Sequence, residues 1–480
     1  MNFENPKNLW KDVDPDEYQY HVTISDIGEL DERVVDIKDL EKREQVYGIC
    51  GECNEPGTGG HWCRPCNAKR FKENFKNWTS GNDYVDELIQ HAQLDAVYHK
   101  KCLEWIPFKN FEDVTYITRG GYGKIFSARW PEGYIYSWDI ENKRWERIRL
   151  NKFALKSLDD SSCISTEFLN EIKSHLQIYL YDVIPCYGIT QDPDTKDYMM
   201  VLEFCKDGNL RNNYLRRSNN YYSKIHHLFS ISSGLLDIHN ADKVHKDFHS
   251  GNILFGISGS LISDLGMCQP EKQLKKDGIY GVLPYVAPEV IRGKQYTKAS
   301  DIYSFGIMMN EYISEEIPFN DIPHDEVLAV RICKGIRPSI FKYTPKLLTA
   351  LIAKCWDAKP ENRPTAKELF QILSKWDVKA KSRLTTKEFF QIFHKLGIKT
   401  NKDSEVRSEV DEYDDKIRLN RTDKKISSDI QTHPQAVYTS RLLNFKDLPE
   451  PINSDCLDCQ LDESILREIS QEQDDENSVE

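Results

Sequence analysis

The chain has 480 residues, which is longer than one ordinary domain, and this length predicts two or three domains. Its composition is 39% hydrophobic and 29% charged, with 24 glycines and 20 prolines, which excludes collagen-like, coiled-coil and wholly disordered chains. The formal charge of −13 is concentrated in residues 401–480, which hold 21 acidic and 10 basic residues. The rest of the chain is close to neutral, which argues against duplex DNA as a main partner.

Apolar stretches are short throughout the sequence. Stretches such as Phe305–Met309 fall far short of the ~18 residues that a membrane-spanning helix needs. The first ten residues lack the apolar core of a signal peptide. Thirteen scattered cysteines in such a chain are typical of reduced thiols or metal ligands. We therefore expect a cytoplasmic or nuclear protein with no membrane partner.

The first 68 residues contain two different kinds of sequence. Residues 1–45 are polar, acidic and aperiodic, which predicts a flexible leader. Residues 46–68 contain two Cys-x-x-Cys pairs separated by nine glycine-rich residues, and each pair can place two thiolates on one metal ion. Four sulfurs satisfy tetrahedral zinc, whereas disulfides conflict with the expected compartment. The predicted structural zinc ligands are Cys50, Cys53, Cys63 and Cys66.

Several elements are predicted after the cysteine pairs. Residues 69–109 form a helical linker, in which apolar residues recur every three or four positions from 82 to 103. A strand–turn–strand pattern follows, and residues 134–150 predict an extra hairpin because aromatic and polar residues alternate on both sides of a turn. From residue 208 to residue 375 the pattern is mainly helical.

A glycine-rich turn between two predicted strands opens the strongest pattern in the sequence. It spans Thr118–Ile125, where glycines let the backbone close over phosphate groups and leave N–H donors accessible. The next buried strand ends at Lys156, and a helical run fifteen residues later supplies Glu171. A lysine at that position is either a surface charge or a phosphate contact held by a carboxylate, and Glu171 can be that carboxylate.

Further motifs follow in order along the chain. Asp247 precedes Asn252 by five residues in a predicted loop, and an Asp-Leu-Gly motif begins twelve residues later at Asp264. An Ala-Pro-Glu motif ending at Glu289 completes the set. Each fragment alone is weak evidence, but the ordered set is highly specific.

Residues 110–375 resemble the catalytic domain of eukaryotic protein kinases, and residues 355–364 are most similar to the tyrosine-kinase and tyrosine-kinase-like groups. The resemblance implies an α+β bilobal fold, with an antiparallel-sheet N-lobe containing one main helix and a mainly helical C-lobe. The zinc-ribbon-like module precedes this domain. Residues 376–400 predict an accessory helix, because residues 385–399 repeat the sequence of residues 365–379. Residues 401–480 predict a mostly disordered acidic tail.

The resemblance also implies catalytic roles for the motif residues. Lys156, paired with Glu171, would contact the α and β phosphates of ATP. Asp247 would accept the proton of the substrate hydroxyl and orient that group. Asn252 and Asp264 would hold Mg²⁺, or Mn²⁺ in its place.

Nucleotide-binding and architectural residues follow from the same resemblance. Ile125, Ala154 and Leu254 would sandwich the adenine. Glu289 and Arg363 would form an ion pair that anchors the activation segment. The implied nucleotide-binding residues are Thr118, Gly120, Gly121, Gly123, Ile125, Ala154, Lys156, Leu202, Glu203, Cys205 and Leu254.

The sequence departs from the kinase pattern at several positions. Thr118 replaces the usual first glycine of the turn, Lys246 replaces the usual arginine before the catalytic aspartate, and Leu265 replaces a phenylalanine. Serine/threonine kinases have a lysine and a threonine where this chain has His249 and Val282. Because the tyrosine-kinase residues are also absent there, this loop does not fix the hydroxyl preference, and the group resemblance favours Ser/Thr.

The activation segment contains a single hydroxyl group. Between Gly266 and Pro284 that group belongs to Tyr280, which is therefore a candidate activating phosphorylation site facing Lys246. An aromatic residue that only packs against the loop is the alternative.

The sequence predicts a magnesium-dependent protein kinase that transfers the γ-phosphate of ATP to protein hydroxyls in intracellular signalling. A scaffold that binds nucleotide without catalysis is the alternative, with the cysteine module and the acidic tail as docking surfaces. The retention of five catalytic residues favours the enzyme. A third hypothesis is single-stranded nucleic-acid binding by the cysteine module, whose short basic-aromatic run at 69–72 is more typical of a solvated helix start.

Overall fold

The structure is a computed structural model of the full chain. It describes residues 9–11, 21–23, 33–120, 123–158, 165–178, 182–216, 220–256, 259–270, 278–377, 391–392, 394–397, 403–426 and 432–453. Within these ranges, no helix is both long enough and apolar enough to span a lipid bilayer.

The strands of the described residues are short and fall into one large sheet and several two-stranded ribbons. They are β1 Leu9–Trp10, β2 His21–Thr23, β3 Val34–Asp36, β4 Gly48–Ile49, β5 Glu104–Trp105, β6 Glu112–Gly120, β7 Gly123–Arg129, β8 Tyr134–Asp139, β9 Arg144–Ile148, β10 Phe153–Leu158, β11 Cys186–Gln191, β12 Tyr198–Glu203, β13 Lys243–Val244, β14 Ile253–Gly256, β15 Gly259–Ile262, β16 Gln269–Pro270, β17 Ile279–Gly281 and β18 Arg441–Leu443.

The α-helices of the described residues are concentrated after β12. They are α1 Leu40–Tyr47, α2 Arg64–Asn74, α3 Asp83–Asp95, α4 Thr166–Gln177, α5 Leu210–Arg216, α6 Tyr221–Asn240, α7 Pro288–Ile291, α8 Lys298–Ser314, α9 Glu326–Cys333, α10 Lys346–Cys355, α11 Ala366–Trp376 and α12 Asp403–Ile426.

The large sheet has the strand order β5-β11-β12-β10-β7-β6, and all its pairs are antiparallel except β5 with β11. All six side chains of β10 are buried. Because alternate side chains point to opposite sides of a sheet, both faces of this strand are covered. Ala154 and Leu158 pack in a cluster with helix α4, while Phe153 and Leu155 pack in a second cluster with Trp130. The predicted sheet-rich N-lobe with one main helix is confirmed.

The C-lobe is built around two buried helices, α6 and α8. Helix α8 begins with a capping box in which Thr297 and Ser300 satisfy each other's backbone N–H groups. The core that both helices share contains Leu235, Phe305 and Met308, all fully buried. Helix α11 packs along α6. The predicted helical C-lobe is therefore also confirmed.

The cysteine module packs against the predicted hairpin, which the structure forms as β8 and β9. The indole of Trp62 is fully buried and donates from Nε1 to the carbonyl of Ala96 at 2.7 Å. Phe71 of α2 stacks on Trp145 of β9, with ring centroids 4.8 Å apart. The hairpin insertion thus joins the module to the N-lobe.

The prediction of a flexible leader is wrong for the described part of residues 1–45. Strands β2 and β3 pair in parallel, and their residues Val22 and Val35 are buried. Arg33 donates from Nη2 to Asp237 Oδ1 of α6 at 2.9 Å, and both side chains are buried. The contact of Arg33 with Asp237 joins residues 204 positions apart, so local composition does not indicate it.

The prediction of a mostly disordered tail is wrong for residues 403–426 and 432–453. Helix α12 packs on the C-lobe through the buried residues Val410, Tyr413 and Ile417. The ammonium of the fully buried Lys224 donates to the hydroxyl of Tyr413 at 2.9 Å. The high charge of this segment predicts disorder, but a few buried side chains are sufficient to pack the helix on the C-lobe. The accessory helix predicted at 376–400 lies mostly outside the described residues.

Candidate active site

The cleft between the lobes contains a lysine held by two acidic side chains. The ammonium of Lys156 donates to Glu171 Oε1 at 2.7 Å and to Asp264 Oδ1 at 2.8 Å. Burial lowers the pKa of Lys156, but the carboxylates of Asp264 and Glu171 outweigh burial and raise it above its ordinary value. The lysine is therefore a fixed positive charge at neutral pH.

Helix α4 brings Glu171 to Lys156 because of its amphipathic pattern. Ser165 caps the helix by accepting from the backbone N–H of Phe168. Phe168 and Ile172 are fully buried against the sheet, and Glu171 lies beside them on the buried face. The predicted pair of Lys156 with Glu171 is thus brought together.

The glycine-rich sequence includes the end of β6 and the start of β7, the strand that pairs with the strand of Lys156. Thr118 pairs with Ile125, and Gly120 pairs with Gly123, across the two strands. A Cβ atom on Gly123 would lie 1.8 Å from the carbonyl oxygen of Ser157, so only glycine fits there. Gly121 lies outside the described residues.

The residues predicted to surround adenine form one apolar surface behind the turn. Ala154 and Leu202 belong to its buried part. Ile125, Leu254 and Cys205 pack against it while remaining partly exposed. Glu203, at the end of β12, is buried. The structure therefore brings five of the predicted nucleotide-binding residues into one apolar cluster: Ile125, Ala154, Leu202, Cys205 and Leu254.

The loop after β13 places Asp247 beside Asn252. The Nδ2 atom of Asn252 donates to the backbone carbonyl of Asp247 at 2.9 Å and to its Oδ2 at 3.2 Å. The N–H groups of His245 and Lys246 donate to Asp301 of α8, at 2.8 and 3.1 Å. These contacts fix the loop, in which Lys246 takes a left-handed φ of 71°.

His249 is a site residue whose role the sequence did not reveal. Its Nδ1 accepts from the N–H of Gly251 at 3.0 Å, so in the neutral ring the proton lies on Nε2. That Nε2 faces Asp247 Oδ2 at 3.6 Å. Burial raises the pKa of Asp247, but the charge and hydrogen bond of His249, with a hydrogen bond from Ser440, lower it to about 2.

Ser440 is the second site residue that was missed. Its Oγ lies 2.5 Å from Asp247 Oδ1 and also contacts Oδ2, although 193 residues separate the two positions. The residue belongs to the segment predicted to be disordered, and nothing in its immediate sequence signals a site. Only the tertiary path of the chain places an aliphatic hydroxyl on Asp247.

Asp264 and Asn252 are suited to hold a divalent cation. Asp264 has a left-handed backbone (φ 61°, ψ 68°), an uncommon conformation for a residue with a side chain. Because Nδ2 of Asn252 donates to Asp247, its Oδ1 is the atom left to ligate a metal. Carboxylate and amide oxygens are the ligands that Mg²⁺ prefers. The buried Leu265 follows Asp264 and packs in the C-lobe core.

A buried ion pair secures the activation segment below the site. Arg363 donates from Nη1 and Nη2 to the two carboxylate oxygens of Glu289, at 2.7 and 2.8 Å. The same guanidinium lies over the ring of Tyr303. The predicted architectural pair is therefore present.

The four cysteines of the N-terminal module converge on one point. Their sulfur atoms all lie within 4.8 Å of one another, with Cys50 and Cys66 3.9 Å apart and Cys53 and Cys63 3.6 Å apart. Zn–S bonds of about 2.3 Å give tetrahedron edges of about 3.8 Å, so the donor set fits zinc. Hydrogen bonds from Cys63 and Cys66 lower the pKa of the Cys50 thiol below its ordinary value.

Comparison with known proteins agrees with this geometry. Residues 112–373 match the family model described as protein tyrosine and serine/threonine kinase. The chain is 27% identical over 281 residues to a tyrosine-protein kinase, SPK-1, of Girardia tigrina, and the match covers 54% of this chain and 51% of that protein.

Two further protein kinases show a similar degree of identity to the chain. The serine/threonine-protein kinase pakC of Dictyostelium discoideum is 29% identical over 274 residues, which cover 55% of this chain and 54% of pakC. Human mitogen-activated protein kinase kinase kinase 7 is 25% identical over 284 residues, 56% of this chain and 42% of that protein. The chain thus spans about half the length of these relatives, and the names of SPK-1 and pakC give different hydroxyl preferences.

Proposed function

The chain belongs to the protein tyrosine and serine/threonine kinase family, and we propose that it is an active, Mg²⁺-dependent enzyme that transfers the γ-phosphate of ATP to protein hydroxyls. The observation that carries this proposal is that the ammonium of Lys156 donates hydrogen bonds to both Glu171 and Asp264. A protein that binds nucleotide without catalysis has no physical need for this lysine with its two carboxylates and, in addition, for the hydrogen-bonded Asp247 and Asn252.

The triphosphate would be bound by fixed positive charge and backbone donors. Lys156 would contact the α and β phosphates under the glycine-rich turn, and adenine would lie between Ile125, Ala154 and Leu254. When bound by Asp264 and Asn252, Mg²⁺ would offset the negative charge of the phosphates. These assignments rest on the matching motif positions and on the observed proximity of the side chains.

Asp247 would orient the acceptor hydroxyl and take its proton as the new bond forms. His249 would donate from Nε2 to Asp247, and so occupy the place of the lysine that serine/threonine kinases have at this position. This role for His249 is supported by its tautomer and by its distance to Asp247.

The acceptor would be serine or threonine rather than tyrosine. The support is the reach of Ser440, whose short side chain brings its hydroxyl onto Asp247 while the next residues pair with β17. A tyrosine hydroxyl lies several ångströms further from its own backbone. With the same strand pairing, a tyrosine at position 440 would therefore place its hydroxyl beyond Asp247.

The N-terminal cysteine cluster would hold one structural Zn²⁺. All ten cysteines that the structure describes are free thiols, which is consistent with a cytoplasmic or nuclear enzyme acting in intracellular signalling. Protein substrates are the expected partners, and the cysteine module is a candidate docking surface.

The test is transfer of radiolabelled phosphate from Mg·ATP by the full-length chain to a protein mixture and to a tyrosine polymer, with phosphoamino-acid analysis of the products. We expect phosphoserine and phosphothreonine, and a loss of signal of about 100-fold or more in Asp264→Asn. Asp194→Asn, an exposed acid in the β11–β12 turn, is the matched control and should behave as the native chain. Equal signals from native and Asp264→Asn chains would refute the proposal.

A further inference from the structure

Residues 432–453 lie across the C-lobe in front of the catalytic loop. Strand β18 pairs antiparallel with β17 of the activation segment, and Tyr280 lies opposite Leu442. Ser440 immediately precedes this strand and has its hydroxyl on Asp247. Addition of a strand to an exposed edge is a common mode of peptide recognition, so the segment has the geometry of a bound peptide.

The part of this segment before Ser440 is anchored around His324. The imidazole of His324 contacts the backbone of Val437, and the ring of Tyr438 packs edge-on against it with centroids 4.8 Å apart. The hydroxyl of Tyr438 donates to the carbonyl of Pro318 at 2.8 Å, and the guanidinium of Arg211 lies 4.4 Å from the ring centroid. These contacts fix the chain just before the acceptor position.

The part after Ser440 is anchored by burial and charge. Leu443 and Leu448 are buried in the C-lobe core. Arg292 makes a two-pronged ion pair with Glu450, with both N–O distances 2.6 Å, and also donates to the carbonyl of Leu448. Anchors on both sides hold Ser440 at the catalytic carboxylate at low entropic cost.

We propose that Ser440 is phosphorylated by the chain's own active site, in an intramolecular reaction, with residues 433–453 bound as the substrate. This inference rests on the proposed kinase activity. It identifies a modification site on this chain and the serine class of acceptor.

The reaction balances with ATP as the co-reactant. The Oγ of Ser440 forms a bond to the γ-phosphorus, and the bond from that phosphorus to the oxygen bridging to the β-phosphate breaks. ADP leaves with the electron pair of the broken bond. The hydroxyl proton passes to Asp247 and then to solvent.

Phosphorylation should also free the substrate groove. A phosphoserine carries a charge of about −1.5 to −2 at neutral pH, and here it would lie against the carboxylate of Asp247, which the hydroxyl of Ser440 contacts at 2.5 Å. This repulsion opposes the contact that the unmodified serine makes. The unmodified segment therefore competes with other substrates, and the phosphorylated segment does not.

The first test follows phosphate at Ser440 by mass spectrometry in the full-length chain with Mg·ATP. We expect first-order appearance of phosphate whose rate constant does not change with chain concentration, because a tethered acceptor has an effective concentration near ~1 mM. A Ser440→Ala chain mixed with an Asp247→Asn chain should leave Ser440 of the latter unmodified. Phosphate at Ser440 in that mixture, or a rate that rises with concentration, would overturn the intramolecular reaction.

Two variants of the segment provide the controls. Thr439→Ala, an exposed neighbour, should leave the rate at Ser440 unchanged. Leu443→Asp should release the segment and slow phosphorylation of Ser440 at least about tenfold, while phosphorylation of an added protein substrate is retained. An unaffected rate at Ser440 in Leu443→Asp would show that the observed docking is not the reactive geometry.

Hydrogen exchange supplies a readout that does not depend on turnover. The amides of β18 should exchange faster after phosphorylation, and equal protection before and after would contradict release of the segment. The two proposals fail in different ways. If the chain phosphorylates nothing, the proposed function is wrong; if it phosphorylates added protein but never Ser440, only this inference is wrong.

Discussion

The carboxylate of Asp247 is contacted by three polar side chains from two parts of the chain. Asn252 and His249 come from its own loop, and Ser440 comes from the C-terminal segment. Each contact favours the ionised carboxylate, which explains a pKa of about 2 for a buried group. Asp247 is therefore ionised at neutral pH, and under the proposed function it would orient a hydroxyl before accepting the proton.

The first prediction concerns His249. His249→Ala removes a donor that faces Asp247, and a hydrogen bond to a charged group is worth about 1.5–3 kcal/mol. We expect kcat to fall about 10- to 100-fold with little change in the KM for ATP. His249→Lys, which restores the serine/threonine-kinase residue, should recover most of the rate. Steady-state kinetics on an added protein substrate measure this, and full activity in His249→Ala would contradict the role.

The second prediction concerns the dependence of stability on pH. The pKa of Asp247 is about 2 in the folded chain, below its ordinary value of 3.8. Its ionisation therefore stabilises the fold above pH ~4, and this stabilisation is lost as the pH falls towards about 2. The expected contribution is about 2 kcal/mol.

Denaturant unfolding of the native and Asp247→Asn chains between those pH values measures this contribution. The free energy of unfolding should fall more steeply with acid in the native chain, because only that chain must protonate Asp247. Parallel slopes for the two chains would contradict the lowered pKa.

The catalytic side chains could be predicted from sequence, whereas two of their partners could not. Lys156, Asp247 and Asp264 lie in short motifs whose order along the chain is itself the signal. In the sequence His249 is only a departure from the kinase pattern, because its tautomer depends on a backbone N–H that the fold supplies. Ser440 acts through a contact between distant segments, and no local pattern encodes such a contact.

At the scale of elements, the cysteine cluster and the β8–β9 hairpin form one structural unit. Trp62 and Phe71, one before and one after the second cysteine pair, stack on Trp145 of the hairpin. Metal binding at the cluster would therefore stabilise the turns that position these rings. Cysteine spacing predicted the cluster, and alternation predicted the hairpin, but their packing on each other depends on tertiary structure alone.

The third prediction concerns zinc. We expect one Zn²⁺ per purified chain, with four sulfur ligands in X-ray absorption spectra, and loss of the metal in Cys63→Ser. Because structural zinc contributes directly to folding, chelation should unfold residues 46–68 and loosen the hairpin. Cys333→Ala, a buried cysteine of the C-lobe, should keep its zinc. A metal-free native chain with unchanged hairpin protection would contradict the assignment.

The charge pattern of residues 403–426 predicts disorder, whereas the structure has helix α12 there. Its sequence is dominated by acidic and basic residues, yet Tyr413 is fully buried and its hydroxyl donates to the carbonyl of Ile313 at 2.7 Å. Arg421 pairs with Glu315, which also accepts from Lys224. Sparse anchors of this kind do not change the average composition of a segment, so composition alone cannot distinguish a docked charged helix from a disordered one.

At the scale of the whole molecule, segments from both ends of the chain lie on the kinase domain. The N-terminal ribbon contacts α6 through Arg33, and the C-terminal segment covers the catalytic loop. The order of the motifs was sufficient to predict the bilobal fold. The docking of the two terminal segments depends on surfaces that exist only once that fold has formed, which is why both were expected to be flexible.

The rate constant for transfer of phosphate to an added protein substrate in a single turnover, at saturating Mg·ATP, tests the central claim most directly. We expect Asp247→Asn to bind Mg·ATP still, because Lys156 and Asp264 remain in place, but to transfer phosphate about 100- to 10,000-fold more slowly than the native chain. Transfer by Asp247→Asn at the native rate would contradict the account.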